Sequence, residues 1–544
     1  MADLKLKDLT GQILVKLHEP IQDIESLNQW KRNIVNIINE IGEEKLSSST
    51  SLTNTQSSSL DPVDWTSARL IAHETLNLSL DYIQYVRDRP VSQIMPSTVI
   101  TTIEDEPLPS KGQSLSSVCR DVFNYVVPYA RGNVHPRFWG WVSGEGTLGG
   151  VLADMISATI NINACSSTHS AAFVERTVIE WMRQIFGFPK DITGGLLVSG
   201  TSIATLISMA AARQRILADV RKNGLIHERQ LIAYASVEAH VCVQKALELL
   251  GLGSSALHHI AVDENFQIKI DELKLAIRSD REKGFIPFCV IGNAGTVNTG
   301  AFDNLLEISS IARQENIWFH VDGAFGSFVI LDPQRCHLVT GIDQADSVAF
   351  DFHKWLHCPF DAGCILIRDH TDLESTFAVT SPYLSKPERN NTDNKHWCYN
   401  LGIELSRSFR ALKVWCSLKE HGIIKLGQKI ADNCEQAQYL LSLLEQHQDI
   451  IRVVRPVSLN IVNFRFEPKE FNSTDYEQMN LFNNQLLKDI YSSGIAFPSS
   501  TSIENRVYIR VCIVSHRSTK EDFDLFIETI WKLYQTRLQT FLIN

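Results

Sequence analysis

The stretch S-V-A-F-D-F-H-K-W-L-H-C-P-F-D-A-G-C-I-L-I-R-D, Ser347 to Asp369, holds two apolar runs with a lysine between them. Ser347–Phe350 and Cys364–Ile367 are short, continuous and apolar, the pattern of strands buried on both faces. Lysine is among the residues least often buried, so Lys354 at the end of a core strand needs a chemical reason to be there.

Similar short apolar runs recur upstream at Leu196–Val198, Leu231–Tyr234, Phe288–Ile291 and Trp318–Val321. Helical periods such as Ala204–Leu217 and Val241–Leu250 separate them, which is the signature of an α/β sheet with mostly parallel strands. After a helix containing Phe409–Leu418, the strands expected at Leu459–Phe466 and Val507–Val511 point to a C-terminal α+β domain. The expected organisation is an N-terminal helix and Ser/Thr-rich linker over 1–60, a wrapping segment over 61–111, a large domain over 112–415 and a small domain over 416–544. Within it, Gln12–Glu43 reads as an amphipathic helix and Ser47–Ser59 as a polar linker. A second helix runs from Asp61-Pro62 towards Asp88, and the proline-bearing stretch to Pro109 reads as extended chain.

Composition narrows the function. The chain has 544 residues, 44% hydrophobic and 21% charged, which is globular and too long for one ordinary core. A net charge of -11 and the lack of a basic tract argue against nucleic acid as partner. Eleven cysteines without a C-x-x-C pair read as reduced thiols, and no metal site is expected from them. No apolar run approaches the length of a membrane span, and the N-terminus lacks a signal-peptide core, so a cytoplasmic protein without a membrane role is expected.

In open α/β sheets, ligands gather at the carboxyl ends of the strands. Four places there carry polar groups. In G-G-L-L-V-S-G-T-S, a strand breaks at Ser199–Ser202 and a helix begins, whose free N–H groups and hydroxyls suit an anion. His240 opens a helix after A-Y-A-S-V-E-A-H. In W-F-H-V-D-G-A-F-G, Asp322 ends a buried strand and needs a partner. Lys354 is the fourth, and burial alone is expected to lower its pKa and leave a nucleophilic amine. Each is an ordinary structural feature by itself. Together, an anion cradle, an imidazole, an acid and an amine suit one ligand with a phosphate, a flat basic ring and an aldehyde, namely pyridoxal 5′-phosphate.

From about Asp61 onwards the chain resembles the pyridoxal-phosphate-dependent group II decarboxylases, the family of aromatic-amino-acid and glutamate decarboxylases. The residues that carry the resemblance are Ser236–His240, Phe302–Glu307, W-F-H-V-D-G-A-F-G and H-K-W-L at His353–Leu356. H-P-R-F-W-G-W at His135–Trp141, L-A-D-M at Leu152–Met155 and S-R-S-F-R-A-L-K-V-W at Ser406–Trp415 match less tightly. The resemblance implies an aspartate-aminotransferase-like (fold type I) α/β fold and a homodimer with the active site at the interface. It implies decarboxylation of a small-molecule L-amino acid to the amine and carbon dioxide. Lys354 would hold the cofactor's aldehyde and Asp322 its ring nitrogen. His240 would stack on the ring, Ala324 would pack beneath it, and Gly200, Thr201 and Ser202 would take the phosphate. Thr296 and His353 would line the pocket. Tyr383, in T-S-P-Y-L-S-K-P-E, would return a proton to Cα, where aldehyde-forming relatives carry phenylalanine.

Two departures accompany the resemblance. Asp351 stands where many relatives have asparagine, and is expected to turn away from the phosphate or to pair with a cation. Phe138, Trp139 and Trp141 offer an aromatic wall, whereas Asn163 and Cys165 replace apolar or aromatic residues of aromatic-specific enzymes. With Phe138, Trp141, Asn163 and Cys165 as substrate-side candidates, an aromatic substrate is favoured over an acidic or small polar one (glutamate, aspartate, 2,4-diaminobutyrate). An aldehyde synthase or aminotransferase on the same fold is the chemical alternative. An inactive interaction protein is disfavoured because all four cofactor-facing elements are intact.

Overall fold

The computed structural model describes residues 59–165, 169–226, 228–379, 398–472 and 474–543. The expected helix Gln12–Glu43, the linker to Ser59 save its last residue, and the whole Thr380–Glu388 segment with Tyr383 lie outside them. The described residues fall into two compact units, one of 59–84 and 101–128, the other of 85–100 and 129–543.

In the first unit, the helix Trp65–Gln84 packs on the helix Leu115–Asp121. Asp64 accepts from the Thr66 N–H at 2.9 Å and Ser114 from the Ser117 N–H at 3.2 Å, so each helix begins at a side-chain cap. Ser97–Glu104 is a helix where the sequence read as extended. Pro96 precedes it, and the Pro96 carbonyl accepts the Val99 and Ile100 N–H groups, so this proline starts a helix rather than preventing one.

The second unit holds two sheets. Its strands, in chain order, are β1 (Phe138–Trp139), β2 (Gly194–Val198), β3 (Leu231–Ser236), β4 (Leu257–Ile260), β5 (Ile286–Asn293), β6 (Trp318–Asp322), β7 (Ser347–Asp351), β8 (Gly363–Ile367), β9 (Ile451–Val453), β10 (Ile461–Phe466), β11 (Phe497–Ile503) and β12 (Arg506–Cys512). Seven form one sheet in the order β2-β8-β7-β6-β5-β3-β4, in which only β8 runs against its neighbours. Alternate side chains enter two separate cores. Leu197, Ile232, Val290, Phe319, Val348 and Leu366 face one, and Leu196, Ala233, Ile291, Trp318, Ala349 and Ile365 face the other. Burial of both faces explains the unbroken apolar runs.

The second sheet, β1-β11-β12-β10-β9, is covered by the helices Tyr476–Ser493 and Lys520–Ile543 and by part of Arg410–Glu445, which bends at Gly422 (φ 68°). Phe138 and Trp139 pair in parallel with Phe497 and Pro498 of β11, so H-P-R-F-W-G-W is stitched to the C-terminal sheet. Trp139 is fully buried there, stacked on Phe523 at 4.8 Å, and is core rather than wall of a substrate site.

Candidate active site

One cavity of about 350 Å³ opens where β2, β3, β5, β6 and β7 end. It is lined by Gly200, Thr201, Ser202, His240, Thr296, Asp322, Ala324, His353 and Lys354, all anticipated from sequence, together with Trp141. The common direction of these strands brings residues from Ser199 to Lys354 to one end of the sheet, and Trp141 reaches the same cavity from beyond β1 of the other sheet. Of the other substrate-side candidates, Phe138 stacks on Phe497 at 5.3 Å. Asn163 and Cys165 turn to the chain at 404–407: Asn163 Oδ1 accepts the Arg407 N–H at 3.0 Å, and the Cys165 thiol donates to the Glu404 carbonyl at 3.4 Å. None of these three lines the cavity.

Lys354 follows β7 in a tight turn whose carbonyls meet Gly144. The Gly144 N–H donates to the His353 carbonyl at 3.0 Å, and a Cβ at Gly144 would fall 2.2 Å from the Lys354 oxygen. Only glycine allows this approach. The Lys354 Nζ lies 2.9 Å from Asp351 Oδ2. Burial disfavours the ammonium, but Asp351 and, further off, Asp322 outweigh it, so the amine's pKa is raised, opposite to the expectation from burial alone. The expectation that Asp351 pairs with a cation is met by Lys354 itself.

Asp322 ends β6 almost fully buried. Its Oδ1 accepts the Ala324 N–H at 3.2 Å, and the Cys242 thiol points at Oδ2 from 3.9 Å. Burial raises its pKa, against the opposing charges of Lys354 and His240. His240 is held below the usual imidazole range, first by burial. Its Nδ1 accepts the Cys242 N–H at 3.2 Å, so the neutral ring carries its proton on Nε2. His353 is likewise lowered by burial; its Nδ1 accepts the Ala362 N–H at 3.1 Å and its ring packs on Phe360 at 4.4 Å.

At the start of the helix Thr201–Ile216, the buried Thr201 hydroxyl has no hydrogen-bond partner among the described residues. An orphan donor at a helix N-terminus, in the same cavity as a half-buried lysine and a buried carboxylate, fits a phosphorylated ring aldehyde. Sequence reasoning missed Asn293 and Phe360 as lining residues. Asn293 ends β5, so the strand-end rule would have found it. Phe360 lies in the bend before β8, where no periodicity points.

The fold and the site define an α/β enzyme of the aspartate-aminotransferase-like (fold type I) class that works with pyridoxal 5′-phosphate. The family model of the pyridoxal-dependent decarboxylase conserved domain matches residues 96–467. The aromatic-L-amino-acid decarboxylase of Bacillus atrophaeus is 35% identical over 460 residues, 84% of this chain and 92% of that protein. A phenylacetaldehyde synthase of Arabidopsis thaliana is 28% identical over 489 residues, 88% of this chain and 96% of that one. The crystal structure of Oryza sativa TDC with PLP and tryptamine superposes with a TM-score of 0.81 at 22% identity, over 88% of this chain and 99% of that one. The chain belongs to the pyridoxal-dependent decarboxylase family.

Proposed function

We propose that this decarboxylase converts an aromatic L-amino acid to its amine and carbon dioxide, with Lys354, Asp322, His240 and Tyr383 as the working residues. The observation that carries the reading is that the cavity holding Lys354, Asp322 and His240 also presents the rings of Trp141 and Phe360. The name of the Bacillus relative supports the aromatic substrate.

Bound pyridoxal phosphate supplies a ring that accepts the electron pair left when the carboxylate departs. Lys354 would hold the aldehyde end, while Gly200, Thr201 and Ser202 would hold the phosphate. Asp322 would keep a proton on the ring nitrogen as a carboxylate, a form that the nearby Lys354 charge favours and burial alone opposes. His240, neutral, would stack on the ring without adding charge. Thr296, His353 and Ala324 would complete the walls. Tyr383 would deliver the proton to Cα, completing amine formation.

The working unit proposed is a homodimer with the site at the interface. The helix Leu148–Ile160 supports it by exposing Leu148, Leu152, Met155, Ile156 and Ile160, a stripe at helical spacing. A cytoplasmic location is supported by eleven cysteines that are all free thiols.

Purified enzyme offered tyrosine, dopa, tryptophan, glutamate, aspartate and 2,4-diaminobutyrate should release carbon dioxide fastest from an aromatic one; preference for an acidic substrate sinks the aromatic reading. Lys354→Ala should lose the borohydride-trapped cofactor adduct, and an unchanged adduct removes the lysine assignment. The similarity to aldehyde synthases gives the second reading, oxidative decarboxylation, its support. Tyr383→Phe should lower amine output and raise aldehyde and peroxide; wild-type protein that already makes chiefly aldehyde establishes the second reading instead.

A further inference from the structure

We propose that Asp351 is a resident anion at the phosphate end of the cofactor site, one that holds the Thr201 amide and the Lys354 ammonium in the cofactor-free enzyme and thereby weakens and slows cofactor uptake. The inference rests on the assignment of Gly200–Ser202 and Lys354 to the cofactor.

A single buried carboxylate makes both contacts. Asp351 Oδ1 accepts the Thr201 N–H at 2.7 Å, and Oδ2 lies 2.9 Å from Lys354 Nζ. The Thr201 N–H belongs to the first turn of its helix, where it is free to bind an anion. Asp351 already occupies this donor, while the Thr201 hydroxyl beside it finds no partner among the described residues. The carboxylate sits in a slot: a Cβ at Gly363 would fall 2.7 Å from Asp351 Oδ1 and 2.5 Å from Gly200 Cα. It therefore has little room to retreat when a second anion arrives.

The charges around it do not neutralise a second anion. Within its own turn, His353 Nε2 is 3.8 Å away on a ring that burial keeps neutral. From the other elements His240, Cys242, Asp322 and Cys364 sense its charge, and of these only His240 can become cationic. Two carboxylates, Asp351 and Asp322, thus share one lysine. The same pairing keeps Lys354 protonated. Covalent capture requires the free amine: the amine nitrogen replaces the aldehyde oxygen, water leaves, and the ammonium proton goes to solvent. Asp351 opposes the phosphate by its charge and the capture by holding that proton.

The test compares apoenzyme carrying Asp351, Asp351→Asn and Asp351→Glu. Inorganic phosphate alone, titrated by calorimetry, should bind Asp351→Asn about tenfold more tightly than wild type, as expected for loss of one charge at short range. Asp351→Glu, which keeps the charge, should bind it no more tightly than wild type. Cofactor capture, followed by absorbance, should be faster in Asp351→Asn at pH 7, and the gap should close as pH rises and wild-type Lys354 also loses its proton. Equal or weaker phosphate binding by Asp351→Asn, tighter binding by both variants, or a rate ratio constant with pH overturns the proposal. Wild-type protein that forms no Lys354-dependent adduct refutes the functional assignment, whereas wild-type loading matched by Asp351→Asn refutes only the role of Asp351.

Discussion

Thr201 shows how much of the chemistry depends on single atoms. Its hydroxyl is buried at the mouth of a helix with no partner among the described residues. A buried donor without an acceptor costs about 1–3 kcal/mol, so an anionic ligand supplying the acceptor recovers that energy on binding. Thr201→Val keeps the shape and removes the donor. It should raise the dissociation constant of pyridoxal phosphate roughly tenfold while leaving the melting temperature of the apoenzyme unchanged or higher, because the unsatisfied group is gone. An unchanged cofactor affinity by fluorescence titration removes Thr201 from the phosphate cradle. Residue identities of this kind were legible in the sequence wherever a strand end fixed the direction of the side chain, as at Asp322 and Lys354. They were not legible where only alignment position spoke. Asn163 and Cys165 occupy places of interest, yet their side chains satisfy the backbone of residues 404–407. The protonation of Lys354 was misjudged for a similar reason, since burial can be read from a pattern but the 2.9 Å approach of Asp351 cannot.

At the scale of elements, the strands recognised from sequence were the longer runs of buried apolar residues, and the ones missed were either very short, as β1 and β9, or not continuous apolar runs. β4 reads L-H-H-I, with both histidines less buried than its ends, and β11 reads F-P-S-S-T-S-I. Their pairing is set by neighbours, β3 for one and β12 for the other, so local propensity carried little signal. The helix Ser170–Phe186, strand β2 and the approach to the long helix are joined by a feature equally silent in periodicity. Glu175 Oε1 accepts the Leu197 N–H at 3.0 Å and pairs with Arg407 at 2.7 Å, both side chains almost wholly buried. Removing one partner of a buried pair strands the other charge, at a cost of about 3–5 kcal/mol. Glu175→Gln should therefore lower unfolding stability by about that amount in denaturant titrations. Glu175→Gln combined with Arg407→Met should recover much of it, because the Leu197 N–H keeps an acceptor while the stranded cation disappears. Equal losses in the single and double variants refute the electrostatic account.

For the whole molecule, the unabsorbed feature is the apolar stripe Leu148, Leu152, Met155, Ile156 and Ile160. Glycines at 149 and 150 begin the same helix, which Thr147 caps through the Gly150 N–H at 3.2 Å. The sequence reading singled out only L-A-D-M within this helix, and a helical period by itself cannot say whether the protein's own core or another chain receives its apolar face. In the described structure these side chains are exposed, and in the proposed homodimer a second copy would cover them. In a two-fold interface the same patch serves both subunits, so one substitution acts twice. Ile156→Asp would place two carboxylates in a dry interface, each costing several kcal/mol unless paired. Even ~4 kcal/mol in total is about a thousandfold in the dimer dissociation constant. Light scattering at micromolar concentration should find wild type at twice the chain mass and Ile156→Asp at once the chain mass, with amine production falling as the dimer is lost. Wild-type protein that runs as a monomer, or Ile156→Asp that stays a fully active dimer, would show that this face is not where the copies meet.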